Sequence, residues 1–115
     1  MSGGVIDEQV FAELQDSAGA EFVVELVESF LEDGPRELAA MRAAVAGGDA
    51  VAFRRHAHSL KSNGATFGAA AFAEAARQLE HSTLAELGAS AAARVEALAQ
   101  LFDAVGTALR ERRHA

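Results

Sequence analysis

The sequence predicts an all-α fold, an antiparallel four-helix bundle with a short extra N-terminal helix. Three observations predict it. The 115 residues are rich in Ala, Leu and Glu, which favour helices, and include one Pro and no Trp or Tyr. Apolar residues recur at helical spacing in four long stretches, and no segment reads as a strand. The breaks between these stretches are short and marked by Gly, Asp and Ser, so successive helices fold back on one another. No linker divides the chain, which reads as one domain over residues 1–115, large enough for a single core, with 1–5 as a flexible lead-in.

The elements follow in order. Asp7 is placed to cap a short first helix, with Ile6 stapling onto Phe11 and with Val10, Phe11 and Leu14 as its apolar side. Ser17 to Gly19 interrupts it. From about Ala20 a second helix repeats Phe22, Val23, Leu26, Val27, Phe30 and Leu31 on one side, with Glu21, Glu25, Glu28 and Glu32 on the other. Gly34-Pro35 predicts a kink or a break, because an internal proline removes a hydrogen bond and clashes with the preceding turn. The helix is expected to resume with Pro35 as its first residue, to carry Leu38, Met41 and Val45, and to end at Gly47-Gly48. Asp49 caps the third helix, which ends at a glycine turn around Gly68. A fourth helix carries Phe72, Ala75, Ala76 and Leu79 and is expected to end near Gly88. Ser90 is expected to cap the last helix, whose core face is Val95, Leu98, Leu101, Phe102, Val105 and Leu109. Arg110, Arg112 and Arg113 suit the negative end of that helix.

The most reactive side chain lies in the third helix, within Ala57-His58-Ser59-Leu60-Lys61-Ser62-Asn63-Gly64. At about 100° per residue, Ala50, Phe53, Ala57, Leu60 and Gly64 form one narrow stripe, and His58 lies about 120° from its centre. The imidazole therefore points to water. Val51, Arg54, Arg55, Ser62 and Ala65 share its face, and Lys61 stands one turn on. Neutral imidazole is a good nitrogen nucleophile near pH 7. If it takes a phosphoryl group, nearby cations stabilise the added negative charge. Small residues at positions 62 and 65 leave room for the incoming donor.

Other chemistries fit less well. His56 and His58 are two apart and do not face each other on a helix, so they make a poor metal pair and none is assigned; His56 is expected beside Phe53. Glu111-Arg112-Arg113-His114 has the Glu-x-x-His spacing of di-iron bundles, but it occurs once and sits at the end of the chain. His81 reads as an ordinary surface residue. Gly64 to Gly68 lacks the lysine and the preceding strand of a phosphate loop, so nothing indicates nucleotide binding. A net charge of −7 argues against nucleic acid as a partner. No apolar run reaches membrane-spanning length. The absence of cysteine, with no visible signal segment, makes a reducing cytoplasm the expected compartment. Arg54, Arg55, Lys61 and Arg77 stand out against the acidic background and would complement a partner with an acidic active site.

The segment resembles the signature of the histidine-containing phosphotransfer (HPt) domain. It has His58, a lysine three residues on at Lys61, a small residue at Ser62, and a glycine-containing turn at Phe67-Gly68-Ala69. Phe30-Leu31-Glu32-Asp33, Gly48-Asp49 and Leu79-Glu80 fall where that family has such residues. Many members carry Gly after the lysine, where this chain has Ser62. The resemblance implies a carrier without kinase activity of its own. His58 would accept a phosphoryl group through Nε2 from the phospho-aspartate of one receiver domain and pass it to another, with Lys61 as charge partner and Ser62 giving access. The partners implied are receiver domains of response regulators and hybrid histidine kinases. The chain would need no cofactor, since the Mg2+ of the reaction belongs to the receiver. Val51, Arg54, Arg55, Ala65, Phe72, Arg77 and Glu80 are the residues expected to meet the partner. The apolar stripes are consumed by one bundle, which predicts a monomer, and caps at both ends favour a free-standing chain. A non-catalytic helical adaptor and a direct substrate of an ATP-dependent kinase remain as alternatives.

Overall fold

A computed structural model describes residues 4–112. Its helices are α1 (Glu8–Ala18), α2 (Ala20–Gly47), α3 (Ala50–Thr66), α4 (Ala70–Glu80), the single turn α5 (Leu84–Leu87) and α6 (Ala91–Arg112), with a 3₁₀ turn at Gly88–Ser90 between the last two. The bundle is formed by α2, α3, α4 and α6: α3 packs on α2 and α4, and α6 closes the ring by packing on the same two helices. The expected all-α bundle with a short N-terminal helix is therefore the observed architecture. No helix of the described residues is long and apolar enough to cross a membrane. The expectations for Arg113 and for the Glu111-x-x-His114 spacing rest on residues outside the described range.

Four phenylalanines hold the centre. The Phe30 ring lies 5.4 Å from Phe67, 6.1 Å from Phe72 and 5.1 Å from Phe102 between centroids, so one residue of α2 touches rings from three other segments. Such tilted and edge-on pairs add to the burial of their surface. Two glycines let the helices approach. A Cβ on Gly34 would fall 2.2 Å from Phe102, and one on Gly64 would fall 2.5 Å from Phe72.

Caps set the helix ends. The Asp7 carboxylate accepts from the N–H groups of Gln9 and Val10, and Asp49 accepts from that of Ala52. Ile6 and Phe11 are both buried, as the staple requires. The α3–α4 turn needs Gly68, whose φ is +80° and whose carbonyl accepts from the Asp7 N–H at 2.9 Å. α1 thus lies over the end of the α3–α4 hairpin.

Three expectations are corrected. α2 does not break at Gly34-Pro35 but runs through both residues. An internal proline costs about 3 kcal/mol, but Phe30, Leu38 and Met41 bury side chains on both sides of it and outweigh that cost. Pro35 itself is exposed, and Gly34 is the point where Phe102 presses on the helix. α4 ends at Glu80, not near Gly88. Thr83 then starts a new turn with a full capping box: its hydroxyl accepts from the Glu86 N–H, and the Glu86 carboxylate accepts from the Thr83 N–H. Ser90 does not cap α6 but donates its hydroxyl to the Leu87 carbonyl within the 3₁₀ turn.

Candidate functional site

The α3–α4 hairpin assembles the site. Asp49 starts α3, the small stripe through Ala57 and Gly64 buries it, and Phe72 of α4 fits under Gly64. This leaves His58 on the outer face toward α4, with its side chain 57% exposed. From the facing side of α4, Glu80 reaches back. One of its oxygens lies 2.7 Å from His58 Nδ1 and the other lies 2.7 Å from Lys61 Nζ. The carboxylate is the hub, and it is only 11% exposed.

The charge state of the hub follows from these contacts. The Lys61 ammonium, above all, and then the His58 ring hold the Glu80 carboxyl at about 2, against burial pushing it up. Glu80 is ionised at neutral pH and can only accept hydrogen bonds. His58 Nδ1 must therefore carry the hydrogen and donate it to Glu80. In the neutral ring the lone pair then lies on Nε2, which is the nitrogen left without a partner among the described residues. A fixed tautomer with its free nitrogen toward solvent, beside a lysine, suits attack on an electrophilic phosphorus.

Around this centre the expected residues fall into three groups. His58, Lys61 and Glu80 are brought together. Val51, Arg54, Arg55, Ser62 and Ala65 are exposed on the same face of α3, Val51 to 74%. The last two, Phe72 and Arg77, lie differently, and the expectation for Phe72 is corrected. Phe72 is 1% exposed and lies under Gly64 in the core, where it meets no partner surface. Arg77 is exposed but turned onto Glu74, with bonds of 2.9 and 2.6 Å to its carboxylate, not toward His58. His81, read as a surface residue, is exposed and lines a cleft of about 270 Å3 with Val51, Arg54 and Glu80.

Sequence reasoning placed Glu80 near the site but missed its double contact. A signal was available in the hairpin register. Counting outward from Gly68 pairs Gly64 with Phe72, and two turns farther out it brings position 58 opposite the end of α4. His56, expected beside Phe53, instead places Nδ1 3.1 Å from Glu37 of α2, on the opposite flank of α3 from Glu80. Among the described residues no three His, Asp or Glu converge as metal ligands.

Two comparisons with known proteins found a match. The family model of the Hpt domain matches residues 25–112. The structure is similar to the crystal structure of histidine-containing phosphotransfer protein B (HptB) from Pseudomonas aeruginosa PAO1, with a TM-score of 0.87 and 30% sequence identity. That match covers 98% of this chain and 97% of the other. No curated protein matches the sequence. On the family match and on the likeness along nearly its whole length, the chain belongs to the Hpt domain family.

Proposed function

We propose that this chain is a histidine phosphotransfer protein of a two-component phosphorelay, with His58 as the phosphoryl acceptor. The observation that carries the reading is the Glu80 bridge, which takes up His58 Nδ1 and leaves Nε2 as the nucleophile. The Nε2 lone pair attacks the phosphorus of a receiver's phospho-aspartate. The bond from phosphorus to the aspartate oxygen breaks, and the aspartate leaves as a carboxylate. The phosphoryl group is then held as a phosphoramidate, and the reverse step delivers it to the aspartate of another receiver.

The chain's own residues have modest tasks. Glu80 orients the ring and supports the positive charge that grows on it as Nε2 bonds to phosphorus. Lys61 lies one turn from His58 and offers charge to the phosphoryl oxygens. Ser62 keeps the approach open. The chain is a carrier with no kinase activity of its own, and the divalent ion of the reaction sits in the receiver.

The test is phosphoryl uptake from a phosphorylated receiver by the native chain and by His58→Gln. Acid-labile, base-stable label on the native chain alone is expected. Label on the variant at the native rate overturns the assignment of His58. Absence of label on the native chain, across a panel of receivers, overturns phosphotransfer and leaves the adaptor.

A further inference from the structure

The two sides of the His58 ring are served unequally. Imidazole carries its nitrogens on opposite sides of the bond that joins it to the chain. His58 Nδ1 is turned to α4, where it meets Glu80, and Lys61 stands on that same side with its ammonium 2.7 Å from the other Glu80 oxygen. Nε2, the nitrogen that takes the phosphoryl group, therefore opens to the other side, toward α2. At about 100° per residue, Lys61 lies about 60° from His58 around α3 on the α4 side, and Ser59 lies about 100° from it on the α2 side. Ser59 is three residues on from His56, which meets Glu37 of α2.

Ser59 is the short donor on the Nε2 side. A cleft of about 380 Å3 is lined by His58 and Ser59 with Val51, Arg54, Arg55 and Glu80, and it has ample room for a phosphoryl group. Hydroxyls in helices commonly turn back onto the backbone. Thr66, Ser82 and Thr107 do so, each donating to the carbonyl four residues back. The hydroxyl of Ser59, a half-buried residue, has no hydrogen-bond partner among the described residues and is left for a new acceptor. Lys61 is already matched to Glu80 and acts from across the ring. Arg54 and Arg55 are exposed on long side chains that lose much freedom when fixed, whereas the serine oxygen has one torsion to set.

We propose that Ser59 holds the transferred group, its hydroxyl donating to a phosphoryl oxygen once phosphorus is on Nε2. This rests on the phosphotransfer reading and adds a residue to the site. The bond from Nε2 to phosphorus forms, the bond from phosphorus to the aspartate oxygen breaks, and Ser59 keeps its proton throughout. The phosphoryl oxygens are charged acceptors, and a hydrogen bond to a charged group is stronger than one between neutral groups. That bond exists only in the phosphorylated chain. It therefore shifts the share of phosphoryl between receiver and chain toward His58 by its own free energy.

The experiment reads an equilibrium on the intact chain. A phosphorylated response-regulator receiver domain is mixed with the chain in dilute solution, and the label on each is measured once its division is steady. The native chain is compared with Ser59→Ala, with Ser59→Thr, and with Thr107→Ala, which removes a hydroxyl on α6. Ser59→Ala is expected to shift the equilibrium constant about tenfold toward the receiver, at an unchanged denaturant midpoint. Ser59→Thr keeps the hydroxyl and should stay within about threefold of native, and Thr107→Ala should match native. A native constant for Ser59→Ala overturns the proposal. So does a loss that Ser59→Thr shares in full, which would make the position one of packing, or a loss that Thr107→Ala reproduces. A failure of phosphotransfer itself reads out separately, as a native chain that takes no label, and overturns both readings.

Discussion

Two histidines stand two residues apart on α3, and each places Nδ1 against a glutamate from a neighbouring helix. His56 meets Glu37 of α2 at 3.1 Å, and both side chains are about four-fifths buried, at 20% and 23% exposure. His58 meets Glu80 of α4 at 2.7 Å, and there the carboxylate is covered while the ring is 57% exposed. The bond is the same, but what lies on the other side of the ring differs. His56 joins α2 to α3 and shows little of itself to solvent. His58 is held by the same kind of contact but opens outward, beside a lysine that shares its carboxylate. A carboxylate–imidazole pair is therefore not a mark of function by itself. Exposure of the second nitrogen and a shared cation make the difference.

The sharpest way to break this comparison is to remove each ring in turn. His58→Gln should abolish phosphoryl uptake with the fold retained, because the ring is exposed, whereas His56→Ala should take label at nearly the native rate. Equal loss in both variants, measured in one uptake assay, would make the two histidines equivalent. A smaller effect is expected at the hub. Glu80→Ala should slow uptake about tenfold, as removal of an orienting partner does. Glu80→Gln should recover part of the rate, since its carbonyl still accepts from Nδ1–H, but it cannot match the Lys61 charge. A steady rate across all three proteins would remove Glu80 as a positioning residue.

The stability of the pair on the α2 side gives the converse. Glu37 Oε2 is buried with no hydrogen-bond partner, so His56 is the contact its carboxylate has among the described residues. His56→Ala should lower stability by about 1–3 kcal/mol, read from the denaturant midpoint. The smallest effect is on pH. Glu80 falls from its ordinary 4.5 to about 2 on folding, so it stabilises the fold above pH 4.5, and this is lost as pH falls toward 2. Glu80→Gln should flatten that part of a midpoint-against-pH curve, and an unchanged slope would mean that the shift does not act on folding.

Much of this was readable before the structure. The caps at Asp7 and Asp49 and the exposed face of His58 follow from local rules, which need only the spacing within one helix. The failures share a different cause. Phe72 looked available because it is flanked within α4 by Ala70, Ala71, Ala73, Ala75 and Ala76, and so uniform a background hides which side is buried. The run through Pro35 depends on rings from α6 and from the turn after α3, which lie far off in sequence. The end of α4 was marked by the Thr83-x-x-Glu86 box, a legible signal that Gly88 overshadowed. The Glu80 bridge needed the hairpin register, a property of two helices together.

One contact sets more than its own neighbourhood. Phe72 sits where a Cβ on Gly64 would be, so the gap between α3 and α4 is gauged by the thickness of a benzene ring. The carboxylate that steers His58 is carried on the other side of that gap. The working distance of the site is thus fixed by an apolar spacer below it, and the polar groups that use the distance have no part in defining it. A protein built this way can vary the chemistry on its surface freely while the ruler underneath stays put.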